Sequence, residues 1–142
     1  MFRRLDENML IAGQIAPEQV AAAVAQGVTV IVNNRPDGEQ PGQPSGAEIE
    51  AAAAAAGIGY RHIPVGGPVS EQQVKAMADA LAESDGAVLA FCASGTRSTY
   101  LWALARAMAG EDADSIIAKA MAAGADLSGI RPALEGLARQ AR

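Results

Sequence analysis

Several residue types that often indicate the class of a protein are scarce in this chain. Its 142 residues include one cysteine, one histidine and one tryptophan, and aromatic residues make up 4% of the total. A single cysteine excludes an internal disulfide framework, and Cys92 and His62 cannot by themselves form a structural zinc site. We therefore expect no metal and no cofactor.

Basic residues and long apolar runs are also lacking. The 11 Lys and Arg residues are scattered in a chain of net charge −5, which predicts no nucleic-acid partner because phosphate binding needs clustered cations. No apolar run approaches the roughly 20 residues of a membrane span, and the N-terminal residues carry no apolar signal segment. Together with the single cysteine, this predicts a cytoplasmic protein with no membrane partner.

Small hydrophobic residues are what the chain has in abundance. Half of the residues are hydrophobic, which suits one domain over residues 1–142. Turn signals predict strands over residues 10–14, 28–33, 59–65 and 87–91, and helices over residues 17–26, between Ser45 and Gly57, and over 71–83, 98–108, 112–123 and 128–142. This order predicts an α/β fold, a three-layer sandwich around a central, mostly parallel sheet.

The segment of greatest chemical interest begins where the apolar run 87–91 ends. It reads Cys92-Ala93-Ser94-Gly95-Thr96-Arg97-Ser98, at the expected junction of a buried strand and a helix. Backbone N–H groups in such a turn form a cradle for an anion, and the positive end of the helix stabilises a thiolate. We predict Cys92 as the nucleophile, Arg97 as a planar clamp for an oxyanion, and an anion-binding loop of Ala93, Ser94, Gly95, Thr96 and Ser98.

Two residues of this segment have a predicted structural role as well. Ser98 is expected to cap the following helix, and it can also donate a hydrogen bond to the Cys92 sulfur. Gly95 is expected at a tight turn, because close approach of the backbone to an anion needs an unhindered position.

A long polar loop spans residues 34–45, and loops of this length in compact domains are often functional. Ligands of parallel sheets bind beyond the carboxyl ends of the strands, so this loop and the one after Val65 should open on the same side as Cys92. Arg35 either pairs with Asp37 or Glu39 or adds positive potential to the site. The two acids are most simply a solvated turn, and alternatively a source of a catalytic proton.

Three segments in this order resemble a known family. They are Val30-Ile31-Val32-Asn33-Asn34-Arg35-Pro36-Asp37-Gly38-Glu39, Tyr60-Arg61-His62-Ile63-Pro64-Val65 and Phe91-Cys92-Ala93-Ser94-Gly95-Thr96-Arg97-Ser98. The pattern resembles the cysteine-dependent tyrosine and dual-specificity phosphatases. It is more similar to the small bacterial phosphatase-like domain found alone or fused to beta-lactamase-like sulfur dioxygenases, often labelled a sulfur transferase. The resemblance implies a tyrosine phosphatase-like fold, with Cys92 as covalent nucleophile.

The sequence departs from the phosphatase pattern at three places. Four residues separate Cys92 from Arg97, where phosphatases have five, and the shorter loop resembles that of the rhodanese sulfurtransferases. Phe91 replaces the histidine that usually precedes the nucleophile. The loop after Val65 holds no carboxylate, although the family's general acid resides there, so Asp37 is the predicted catalytic acid, with Arg35 and Glu39 as accessory residues.

Three functions are consistent with these residues, each with a small anionic substrate or ligand. The first is hydrolysis of phosphate monoesters through a cysteinyl-phosphate. The second is sulfur transfer through a persulfide on Cys92, which needs no general acid. The third is a non-catalytic module that binds anions.

Overall fold

A five-stranded sheet forms the centre of the computed structural model, which describes residues 2–141. Its strands lie in the order β1-β2-β5-β3-β4, with bounds β1 Arg3–Asp6, β2 Met9–Ala12, β3 Val28–Asn33, β4 Gly59–His62 and β5 Ala87–Phe91. Every neighbouring pair is parallel except β1 and β2. The mostly parallel sheet predicted from the sequence is therefore confirmed.

Helices cover both faces of the sheet. Their bounds are α1 Val20–Ala25, α2 Gly46–Ala55, α3 Glu71–Glu83, α4 Thr96–Met108, α5 Ala113–Ala122 and α6 Arg131–Gln140. Buried residues of α1 and α2 pack on one face, and those of α3 to α6 pack on the other. The three-layer α/β architecture is thus confirmed. Within residues 2–141, no helix has the length and apolar character needed to cross a membrane.

The central strand β5 joins the two hydrophobic cores. Leu89 and Phe91 contribute to the core beneath α1 and α2, whereas Val88 and Ala90 contribute to the core beneath α3 to α6. This division follows from the alternation of side chains along a strand. A strand buried on both faces must be apolar throughout, which explains the uninterrupted hydrophobic run that precedes Cys92.

Strand β1 is absent from the sequence prediction. It pairs antiparallel with β2 at the edge of the sheet, with Arg3 opposite Ile11. Only Leu5 of this strand is buried. Edge strands commonly carry charged residues, so the four-residue run contains too little hydrophobic alternation to be distinguished from a polar terminus.

Several predicted boundaries shift in the structure. The strand predicted over residues 10–14 is Met9–Ala12, and the helix predicted from residue 17 begins as a 3₁₀ turn over Pro17–Gln19. The strand predicted over residues 59–65 is regular only to His62, although the Ile63 N–H still donates to the carbonyl of Asn33 at the end of β3 and the Val65 N–H donates to that of Asn34. The helix predicted over residues 128–142 starts with a 3₁₀ turn, and Arg142 and Met1 lie outside the described residues.

Truncation of a buried side chain on the central strand should lower the stability of the fold. Leu89 is fully buried, so we expect Leu89→Ala to lower the free energy of unfolding by about 2–5 kcal/mol. Met121→Ala is the matched control, since the Met121 side chain is exposed on α5 and its truncation should change the value by less than about 0.5 kcal/mol. Urea unfolding measures both, and equal effects would contradict this description of the core.

Candidate active site

The predicted nucleophile lies at the carboxyl edge of the sheet, directly after β5. The backbone N–H of Cys92 donates to the Ala12 carbonyl at the end of β2, at 3.4 Å. On the other side, the N–H of Asn34 donates to the Phe91 carbonyl at 2.8 Å. Both neighbouring strands therefore hold the chain at the point where it turns out of the sheet, and the Cys92 side chain is 1% exposed.

Backbone amides converge on the Cys92 sulfur. The Gly95 N–H donates to Sγ at 3.1 Å. Burial raises the pKa of the thiol, but hydrogen bonds from the Ser98 and Ser94 amides, the Ser98 side chain and the Gly95 amide outweigh burial, so the pKa lies below its ordinary value. A lowered pKa increases the fraction of the cysteine that is ionised at a given pH, and the thiolate is the nucleophilic form.

The start of α4 places these amides. Gly95 has φ +95°, in the left-handed region, and it is the residue that precedes the helix. The Thr99 N–H and hydroxyl both donate to the Gly95 carbonyl, at 3.0 and 2.8 Å. Ser98 therefore lies inside the first turn, and its prediction as the helix cap is wrong. The left-handed turn at Gly95 lets the helix start early enough to direct its first amides at sulfur.

The Ser98 hydroxyl has a partner that the sequence did not suggest. It donates to Asn34 Oδ1 at 2.8 Å, while Asn34 Nδ2 donates to the Ile63 carbonyl at 3.0 Å. A hydroxyl has one proton, so in this arrangement its proton is directed to Asn34. Among the groups that lower the thiol pKa, the Ser98 backbone N–H has the largest effect.

Arg97 is oriented by a carboxylate. Its Nη1 donates to Glu39 Oε2 and to the Val65 carbonyl, both at 2.8 Å, and its Nη2 donates to Glu39 Oε1 at 2.9 Å. Since a guanidinium has five N–H donors, these contacts leave the Nε–H and one Nη2–H for an anion. The pKa of Arg97 is raised, mainly by Glu39 and to a smaller extent by the nearby Cys92.

A second arginine shares the same carboxylate. Arg35 Nε donates to Glu39 Oε1 at 2.9 Å, and its Nη1 and Nη2 donate to the side chains of Gln14 and Gln40. Arg35 is 4% exposed, so these hydrogen bonds replace those that water would make to its guanidinium. The hydrogen bonds from Arg97 and Arg35 lower the pKa of Glu39 to about 2. Two cations with one carboxylate leave this part of the site positive.

The remaining predicted residues lie around this centre with different contacts. Asp37 Oδ1 accepts a hydrogen bond from the Gly46 N–H at 2.8 Å, at the start of α2. Ser94 and Thr96 are exposed, and their hydroxyls lie 3.1 Å apart. The structure thus brings Cys92, its loop, Arg97, Glu39 and Arg35 together, and it places Asp37 two residues from Glu39 with a backbone partner of its own.

Sequence reasoning missed three residues that contact this site. Asn34 and Gln14 each follow a strand that flanks β5, and polar side chains just beyond the carboxyl ends of parallel strands are a usable signal. The third, Arg3, donates to the Ser94 carbonyl at 2.9 Å from β1. Nothing local distinguishes Arg3 from Arg4 beside it. Within residues 2–141, no group of three or more His, Cys, Asp or Glu side chains is arranged to hold a metal ion.

The shared carboxylate generates a stability prediction. Replacing Glu39 with Gln leaves the buried Arg35 without an anionic partner, so we expect a lower unfolding temperature than in the matched variant Glu50→Gln, whose side chain is on the exposed face of α2. A depressed pKa means that the carboxylate stabilises the folded chain above its unfolded pKa, near 4.5, and that this is lost as the pH falls towards 2. The deficit of Glu39→Gln should therefore be constant above about pH 5 and shrink below it. Thermal unfolding across this range is the measurement, and a deficit that grows towards acid would contradict the assignment.

Solved structures with similar folds include several phosphatases. One is the crystal structure of a protein from Neisseria meningitidis presented as a candidate phosphatase. Its sequence is 33% identical to this chain, the TM-score is 0.81, and the match covers 95% of this chain and 96% of that one. P. aeruginosa TpbA, solved in complex with phosphotyrosine, is 19% identical with a TM-score of 0.66, over 99% of this chain and 89% of that one. At this lower identity the likeness to TpbA concerns the fold, which is that of the tyrosine phosphatases.

Sequence relatives agree with this fold. A beta-lactamase hydrolase-like protein of Agrobacterium fabrum is 43% identical over 108 residues, which are 75% of this chain and 25% of that protein. The chain therefore spans about a quarter of the length of that curated relative. A family model for the phosphatase-like domain of the beta-lactamase hydrolase-like protein matches residues 1–109. The chain belongs to this phosphatase-like family.

Proposed function

We propose that this chain hydrolyses phosphate monoesters, with Cys92 as covalent nucleophile. The observation that carries the proposal is the buried Cys92 sulfur, which accepts a hydrogen bond from the Gly95 N–H and whose pKa is lowered by the Ser98, Ser94 and Gly95 amides. Membership of a phosphatase-like family supports it, as does the phosphotyrosine complex of the structurally similar TpbA. The substrate class follows from the cradle, which favours a compact anion.

The proposed reaction has two steps. The Cys92 thiolate attacks phosphorus, and a P–S bond forms while the P–O bond to the leaving group breaks. Water then attacks the phosphorus, the P–S bond breaks, and its electron pair returns to sulfur. The two N–H groups of Arg97 that Glu39 and Val65 leave free, with the loop amides, would stabilise the equatorial oxygens in both transition states.

Asp37 is the proton donor in this proposal. The leaving oxygen departs more easily if a positioned acid protonates it. Glu39 is unsuited to this task because both of its carboxylate oxygens accept hydrogen bonds from arginines. Asp37 lies on the same loop, and only its Oδ1 is used by the Gly46 amide. Oδ2 is the oxygen that would carry the proton.

Sulfur transfer is the second candidate, and the loop length favours it. Only four residues separate Cys92 from Arg97, so the cradle is smaller than that of a phosphatase. In this reaction the Cys92 thiolate attacks the outer sulfur of thiosulfate, the S–S bond breaks, and sulfite leaves with the electron pair. An acceptor thiolate then attacks the outer sulfur of the persulfide and releases Cys92. No carboxylic acid is required.

A paired assay separates these functions. The protein is given an aryl phosphate, and separately thiosulfate with a thiol acceptor, and each assay is repeated with Cys92→Ser, which keeps the shape of the side chain. We expect phosphate release by the wild type and a loss of at least about 10³-fold in the variant. Sulfite release that depends on Cys92, without phosphate release, would overturn the phosphatase proposal in favour of sulfur transfer. Binding of phosphate with neither activity would favour the non-catalytic module.

The role of Asp37 is tested with leaving groups of different acidity. Asp37→Asn keeps a carbonyl oxygen for the Gly46 N–H, so α2 stays capped while the proton donor is lost. We expect kcat/KM for phenyl phosphate to fall by about 10²–10⁴-fold, and kcat/KM for p-nitrophenyl phosphate to fall much less, because its leaving group departs without a proton. Equal rates for variant and wild type on both substrates would remove Asp37 from the mechanism and leave the role of Cys92 intact.

A further inference from the structure

One peptide unit of the cysteine-containing loop is bonded on both sides. The carbonyl of Ser94 and the N–H of Gly95 belong to the same peptide. The carbonyl accepts a hydrogen bond from Arg3 Nη2 at 2.9 Å, and the N–H donates to the Cys92 sulfur at 3.1 Å. A guanidinium and a sulfur thus lie at opposite ends of one planar amide group.

Arg3 reaches the loop from a distant part of the chain. It lies on the edge strand β1, opposite Ile11 of β2, at the end of the sheet where Cys92 emerges. Its guanidinium passes directly over the Gly95 Cα, where a Cβ would collide with it and would also come within 3.4 Å of the Ala12 carbonyl. The absence of a side chain at Gly95 therefore makes room for Arg3.

Arg3 is not engaged elsewhere by an acid. No Asp or Glu of residues 2–141 forms an ion pair with it, whereas Arg97 and Arg35 both pair with Glu39. The charged groups around Cys92 are thus Arg97 on α4, with Glu39 and Arg35 behind it, and Arg3 on β1. Of these cations, Arg3 is the one that forms no ion pair with an Asp or Glu of residues 2–141, and Asp126 is the carboxylate that lines the same cavity as Arg3 and Gly95.

The orientation of this peptide decides the sign of its interaction with sulfur. In a trans peptide the C=O and N–H point in opposite directions, so a donor that holds the carbonyl outward also holds the N–H inward. A rotation of the peptide plane would direct the carbonyl oxygen at the sulfur and repel a thiolate. The cation on the carbonyl side also polarises the amide and strengthens the bond that its N–H donates.

We propose that Arg3 is a positioning residue that locks the Ser94–Gly95 peptide with its N–H directed at Cys92. Arg3 acts through this peptide, since it donates to the Ser94 carbonyl and makes no hydrogen bond to the sulfur within residues 2–141. The inference goes beyond the proposed function, since it concerns the state of Cys92 whether phosphorus or sulfur is transferred. The edge strand β1, which lies outside the three segments that carry the sequence resemblance, becomes part of the site.

The test measures the Cys92 thiol directly, without any substrate. Arg3→Met is compared with Arg4→Met, a matched control on the same strand, because Arg4 donates to the carbonyls of Asp6 and Glu7 at the β1–β2 turn and does not contact the loop. The rate of Cys92 alkylation by iodoacetamide, followed from about pH 5 to 10, gives the thiol pKa. We expect Arg3→Met to raise it by about one unit and Arg4→Met to shift it by less than about 0.3 unit.

A second readout reports the peptide itself. The amide proton of Gly95 should move upfield in Arg3→Met, because its hydrogen bond to sulfur weakens, and should stay in place in Arg4→Met. Should Arg3→Met fold poorly, Arg3→Lys and Arg4→Lys serve as the pair, since Lys keeps the charge but loses the planar fork, and a smaller shift of the Gly95 amide in Arg3→Lys alone is expected. Equal thiol pKa values and equal Gly95 shifts for the position-3 and position-4 variants would overturn the proposal. An absence of phosphatase activity would leave it unaffected.

Discussion

The convergence of backbone amides on the Cys92 sulfur is the interaction on which the site depends. It requires that β5 end at Phe91, that the chain turn with Gly95 in the left-handed region, and that α4 begin at Thr96. Each requirement has a separate cause. Burial on both faces keeps β5 apolar up to Phe91, and the missing Cβ of Gly95 permits the left-handed turn. The two hydrogen bonds that Thr99 donates to the Gly95 carbonyl hold the start of α4. The energetic result is a buried thiol whose pKa lies below its ordinary value, although burial by itself would raise it.

The charged side chains around this sulfur are those of Arg97, Glu39, Arg35 and Arg3. Glu39 accepts hydrogen bonds from both Arg97 and the buried Arg35. These contacts orient the Arg97 guanidinium and leave its Nε–H available for an anion. Arg3 approaches from the opposite side and acts through a peptide. Glu39, whose pKa is lowered to about 2, therefore organises two cations. Asp37, the proton donor in our proposal, lies on the same polar loop and accepts a hydrogen bond at the start of α2.

Predictions that rest on local physics agree with the structure. The apolar run of β5, the helix between Ser45 and Gly57 and the helix over residues 71–83 depend on neighbouring residues, and the corresponding elements lie where they were expected. The prediction of Ser98 as a helix cap is wrong for a reason that is also physical. A serine is a common cap, but here the residue that precedes the helix is Gly95, whose N–H donates to the Cys92 sulfur. The helix therefore begins at Thr96, two residues before Ser98.

The sequence by itself determined the α/β class and indicated the candidate nucleophile, its loop and the candidate clamp, because these are encoded in contiguous residues with a recognisable period or spacing. The pairing of Arg97 with Glu39, 58 residues away, and of Arg3 with Ser94, 91 residues away, was decided by the tertiary structure. Asn34 and Ser98, 64 residues apart, are a third such pair. No local pattern specifies which of several arginines or acids will meet, since their partners are set by the order of strands in the sheet and by the edge at which those strands end.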